Sequence, residues 1–87
     1  MAKVEVKMAI DPFQIITRAL RKTKKKLRVG KIVSVDYDEE ADVLYARFAP
    51  GKIVDSESLD DEGMVLGDLD PKQHIIGLTI IHASGFA

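Results

Sequence analysis

The sequence contains no cysteine and no tryptophan. Without cysteine there are no disulfides and no thiolate metal site. Long apolar runs are missing too, and none approaches the ~20 residues that span a bilayer. The opening "MAKVEVKMAI" alternates charged and apolar residues. It does not read as a signal peptide, and a cytoplasmic location without membrane contact is expected. Histidine is scarce: His74 and His82 stand at the two ends of one proposed strand. Extended, that spacing is about 26 Å at ~3.3 Å per residue, so the pair cannot share a metal within one chain. No Gly-rich phosphate loop is present, and His82, near Ser84 in sequence, is accompanied by no Gly-x-Ser-x-Gly elbow or paired acid. An enzyme is therefore not expected, and neither is a cofactor.

What is present is a soluble-type composition, with 46% hydrophobic and 31% charged residues in 87 positions. This length fits a single domain over residues 1–87 with a thin core. The net charge of −1 hides an asymmetry. Residues 1–31 hold ten Lys/Arg against two acids, and residues 32–87 hold three against twelve. A basic N-terminal part (1–30) is joined to an acidic part (31–87).

Residues 3–10 alternate with period two and read as a strand. Asp11-Pro12 then reads as a helix start, with Asp as the cap, Pro in the first turn and Gln14 as a capping-box partner. The helix is expected over about 12–27, with Gly30 as a stop. On a helical wheel Phe13, Ile16, Ala19, Leu20, Thr23 and Leu27 share one face. Arg18, Arg21, Lys22, Lys25 and Arg28 share the other, with Lys24 and Lys26 at its edges.

From Lys31 the period returns to two. Strands are expected at 31–37, 42–48, 52–58, 64–69 and 74–82, joined by the short turns "DEEA", "APG", "DDEG" and "DPKQ". Short links between successive strands imply hairpins and an antiparallel meander. Gly67 and Gly77 lie inside strands and imply close packing or a bulge. The last strand is apolar on both faces, with Ile76, Leu78 and Ile80 on one and Ile75, Thr79 and Ile81 on the other. One helix covers one face, and a second protomer is the simplest cover for the other. The expected fold is α+β: an antiparallel β-meander sheet of five to six strands with one amphipathic helix packed on it.

The stretch from Val35 to Ser84 carries "YDEEADVLYARF", the acidic middle "SESLDDEGMVLGDLD" and the closing "IIGLTIIHAS". In these features it resembles domain-of-unknown-function family 2283 (DUF2283), a family of short prokaryotic proteins. The resemblance implies a small antiparallel β unit without a catalytic signature. It also implies an antitoxin-like role, with a small toxin-like protein as the partner. The N-terminal strand and the basic helix lie outside the resemblance.

Seven of the eleven residues in "RALRKTKKKLR", residues 18–28, are cationic. Like charges at i,i+4 cost about 0.2–0.5 kcal/mol per pair in a helix. The ordinary reading is a solvated face compensated by the acids of this chain or of a second copy. The functional reading is contact with phosphates or an acidic partner through Arg18, Arg21, Lys22, Lys25 and Arg28. No aromatic residue interleaves the run, which disfavours single-strand stacking. A membrane-surface role is disfavoured because the apolar helix face is needed for the core. "DYDEEAD" at 36–42 begins like a calcium loop but has Ala41 where Gly is needed and Arg47 where Glu is needed. It reads as a solvated hairpin turn, and "ESLDDE" at 57–62 reads the same way.

The expectation is a non-catalytic, homo-oligomeric binding module, with a nucleic-acid-binding protein as the alternative.

Overall fold

The computed structural model describes residues 11–24, 27 and 31–87. The strand expected at 3–10, and Lys25, Lys26 and Arg28 of the basic run, lie outside the described residues.

The helix α1 (Pro12–Lys22) starts where the sequence places it. The Asp11 carboxylate accepts from the Phe13 N–H at 3.0 Å, and Pro12 occupies the first turn. One of the four unpaired amides of the helix start is thereby satisfied. The helix ends earlier than expected, because Thr23 is extended and the Lys24 N–H donates to the Leu59 carbonyl at 2.9 Å. A tertiary hydrogen bond replaces the next turn of helix. The buried stripe is Ile15, Ile16 and Ala19. Phe13, placed on that stripe by the wheel, is 55% exposed. Docking is centred on the i,i+4 pair Ile15 and Ala19, which rolls Phe13 toward solvent.

Five strands follow: β1 (Ser34–Asp38), β2 (Val43–Arg47), β3 (Asp55–Ser58), β4 (Val65–Leu69) and β5 (Ile75–Ile81). A 3-10 turn (Ala83–Phe86) closes the chain. The sheet is antiparallel throughout, with strand order β1-β2-β5-β4-β3. The α+β class, the antiparallel sheet and, among the described residues, the one α-helix follow the expectation. The meander runs through β3, β4 and β5, while β1 and β2 form a separate hairpin that joins it through β2 and β5. The connection after β2 is therefore not a hairpin. The Phe48 N–H bonds the Ile76 carbonyl and the Val54 N–H bonds the Leu69 carbonyl, so the segment passes along the ends of β5 and β4.

Each hairpin turn is held by an aspartate near its start. Asp38 Oδ1 accepts from the Ala41 amide, Asp60 Oδ1 from Met64 and Val65, and Asp70 Oδ1 from Lys72 and His74. Aspartate suits this work because its short side chain reaches its own downstream amides. Several acids of the sequence are thus turn-formers.

Residues opposite one another share a sheet face. One face carries the rows Val35–Ala46–Leu78–Gly67 and Tyr37–Leu44–Ile80–Val65. The helix residues Ile15, Ile16 and Ala19 belong to the same core as Leu44, Ala46, Leu59, Val65, Leu78 and Ile80. A register shift between Asp68 and Leu69 pairs Leu69 with Ile75. It brings Ile75 against the core, where a Cβ on Gly67 would meet its Cδ1 and that of Leu59 at 3.2 Å. Ile75 is therefore not on the second face, as strict alternation predicts, because the bulge resets the alternation.

Gly77 sits between two strands at close quarters. A Cβ there would lie 2.8 Å from the Ala46 carbonyl oxygen. No helix among the described residues is long and apolar enough to cross a membrane.

Candidate functional site

Two surfaces carry the chemistry singled out in the sequence: the helix face with its neighbouring acidic turn, and the sheet face opposite the helix.

Arg18, Arg21 and Lys22 lie on α1 and are exposed. The structure does not leave them as a uniform cationic face. Lys22 Nζ bonds Glu62 Oε1, and Lys24 Nζ lies 2.8 Å from Asp61 Oδ1. The hydrogen bond to Glu62, with the charges of Glu62, Asp60 and Asp61, raises the Lys22 ammonium above its ordinary range. The acidic β3–β4 turn thus meets the end of α1, which is the compensation within the chain weighed from the sequence. Arg18 Nη1 donates to the Phe86 carbonyl at 3.2 Å. Neither Arg18 nor Arg21 meets a carboxylate among the described residues. Together with Asp11, Phe13, Gln14 and Thr17 they line a shallow, open concavity on the outer side of the helix.

The second sheet face is three rows deep. They are Ser34–Arg47–Gly77–Asp68–Ser56, Asp36–Tyr45–Thr79–Leu66–Ser58, and Asp38–Val43–Ile81. Val43, Leu66, Thr79 and Ile81 are half-buried and Tyr45 is exposed. No described helix or strand lies across them. Asp36 and Asp38 flank this apolar centre on β1.

Asp68 is buried on this face, 6% exposed. Its carboxylate accepts from Ser56 Oγ at 3.1 Å and from Thr79 Oγ1 at 3.0–3.1 Å. Arg47 extends along the same row, sends Nη2 to the Gly51 carbonyl, and keeps its Nε buried without a partner. The sequence reading missed Asp68. The available signal was an aspartate inside the apolar strand "VLGDL".

"DYDEEAD" is a hairpin turn, as expected, but its last residue does more than terminate it. Asp42 adopts a left-handed backbone, φ 57°. Its Oδ1 accepts from Tyr37 Oη at 2.6 Å and from the Ser84 amide at 3.0 Å, and its Oδ2 accepts from Ser84 Oγ at 2.7 Å. The Ala83 amide bonds its carbonyl at 2.9 Å. These bonds, led by that from Tyr37, hold the Asp42 carboxyl below the usual range. The same bond, with burial and the nearby carboxylates, pushes the Tyr37 phenol up to about 12. Asp42 ties the first hairpin to the chain end.

The two histidines stand at opposite ends of β5. His74 is exposed, with Nδ1 3.5 Å from Asp70 Oδ2. His82 is exposed with φ 56°, and Ser84 Oγ is directed to Asp42. Among the described residues no group of three or more His, Asp or Glu side chains is arranged to hold a metal.

A family model described as "Protein of unknown function (DUF2283)" matches residues 34–84, more than half of the chain. No curated protein and no solved structure matches.

Proposed function

The chain belongs to the DUF2283 family of proteins of unknown function, and from that premise we propose that it is a non-catalytic interaction module. The observation that carries this reading is the sheet face opposite the helix. Its centre, formed by Val43, Tyr45, Leu66, Thr79 and Ile81, is apolar and lies beside Asp36 and Asp38. An aromatic-centred patch with a charged rim is the anatomy of a protein-binding surface. The acidic rim selects a basic partner, which agrees with an antitoxin-like role toward a small toxin-like protein. The module works in the cytoplasm, self-associates, and catalyses no reaction.

The alternative is nucleic-acid binding through Arg18, Arg21 and Lys22. The pairing of Lys22 with Glu62 and of Lys24 with Asp61 weighs against it, because it removes cations that would otherwise meet phosphates.

Amide NMR spectra of the isotope-labelled chain separate the two readings. The probes are a short lysine-rich peptide containing one aromatic residue, and a DNA or RNA duplex. The proposal expects the peptide to shift amides around Tyr45, Leu66 and Thr79, and the shifts to vanish in Tyr45→Glu. Peptide shifts scattered over the surface would refute it. Duplex shifts confined to α1, fading between ~50 and ~200 mM salt, would establish the alternative.

A further inference from the structure

We propose that the outer face of α1 receives the acidic β1–β2 turn of a second copy of this chain, and that the contact is reciprocal. This rests on the self-association included in the reading above and is independent of partner binding at the sheet face.

The chain itself displays the contact type. Within one molecule an acidic hairpin turn, Asp61 and Glu62, meets cations at the end of α1, Lys24 and Lys22. A second acidic turn exists at Glu39 and Glu40, beside Asp38. It is exposed and meets no cation among the described residues. Two more helix cations, Arg18 and Arg21, meet no carboxylate among them either. Half of each charge pair is present on every molecule, and a second copy supplies the other half. Phe13 stands out from the same helix face, 55% exposed, beside the two arginines. An apolar contact at the centre of the charge pairs would give the interface an anchor.

The arrangement also suits a two-fold axis. The 3-10 turn Ala83–Phe86 bonds the β1–β2 hairpin through Asp42 and bonds α1 through Arg18. The acidic and the basic patch therefore flank one short segment at one end of the sheet. An axis passing by exposed Ser84 and Gly85 places the helix of each copy against the turn of the other. A self-complementary contact of this kind closes at two copies.

The test is the solution mass from sedimentation equilibrium, measured on the full chain at ~50 and ~500 mM salt. The wild type is expected near twice the 9.6 kDa chain mass at low salt, moving toward one chain at high salt. Arg18→Glu with Arg21→Glu is expected to give the single-chain mass. Glu39→Lys with Glu40→Lys is expected to do the same, with circular dichroism reporting an intact fold. Combining all four reversals is expected to restore the dimer. A wild type at single-chain mass overturns the proposal. So does a dimer indifferent to either double reversal, or a four-fold variant that stays monomeric. A dimer lost in Tyr45→Glu but retained in the charge reversals would overturn it too, and would move self-association to the sheet face.

Discussion

Replacing Gly77 by alanine tests the packing of the sheet most directly. The new Cβ would lie 2.8 Å from the Ala46 carbonyl oxygen, 3.1 Å from Arg47 Cδ and 3.3 Å from Asp68 Oδ2. The first contact decides the sign, because a backbone oxygen cannot rotate away. Relief requires β2 to move from β5, where Arg47 and Gly77 are paired. Overpacking against a backbone atom that cannot move aside lies at the upper end of its range, about 3 kcal/mol. Against it stand about 0.8 kcal/mol for burying one carbon and about 0.7 kcal/mol from a stiffer unfolded chain. The net loss is about 1.5 kcal/mol. In a domain of this size each kcal/mol moves Tm by roughly 4–8 °C, so Tm should fall by about 6–12 °C. Gly67→Ala meets only the movable tips of Ile75 and Leu59 at 3.2 Å, and Gly85→Ala meets nothing within 4 Å. Thermal melting by circular dichroism should rank Gly77→Ala lowest, Gly67→Ala next and Gly85→Ala nearest the wild type. A Gly77→Ala protein melting at or above the wild-type temperature would refute the reasoning.

Two predictions concern the Asp42 clamp. The folded carboxyl is held below its ordinary value of 3.8, so its contribution is complete above the unfolded value and is lost as pH falls through the folded one. Asp42→Asn should therefore be less stable than the wild type at neutral pH, and urea titrations should show the gap closing below about pH 4. A gap that stays constant down to pH 2 would contradict the clamp. In Tyr45→Phe the only tyrosine left is Tyr37, and its phenolate absorbance should appear with a midpoint of about 12. The raised value means that this contribution is complete below about pH 10 and lost as pH rises toward 12. Adding Asp42→Asn should return the midpoint toward about 10.

Signals confined to neighbouring residues were legible in the sequence. The helix start was readable because Asp11 and Pro12 act within one turn. The five described strands were readable from their alternation, and the hairpin turns from residues that bond their own downstream amides. The helix end was not readable, because what stops it is the Leu59 carbonyl, far away in the chain. The order of the sheet was equally hidden. The short link after β2 reads as a hairpin, yet it carries the chain across two strands, and no local feature of "FAPGKIV" announces that. The register shift at Asp68 and Leu69 moved Ile75 from one face to the other, which alternation alone cannot anticipate. At the basic run, composition showed the charge and the acids available to balance it, but not the pairing. That Lys22 meets Glu62 follows from where the β3–β4 turn lands. In the sequence Asp42 reads only as a turn residue, because its partners, Tyr37 and Ser84, converge only after β5 is in place.

The pairing of β2 with β5 has a consequence in time. Among the described residues every other strand pair joins neighbours in sequence, whereas the nearest partners across this pair, Arg47 and Gly77, stand thirty residues apart. Closing that span forfeits more chain freedom than any hairpin, and no contact offsets the loss until the strands meet. The expected order of assembly is therefore two quick local events, the β1–β2 hairpin and the β3–β4–β5 meander, followed by one slow docking of the first on the second. The ladder between β2 and β5 is the last to zip, and the segment 48–54 is the strap on which the two halves swing together. The Asp42 clamp joins hairpin to chain end across the same seam, and it latches only when that docking is complete.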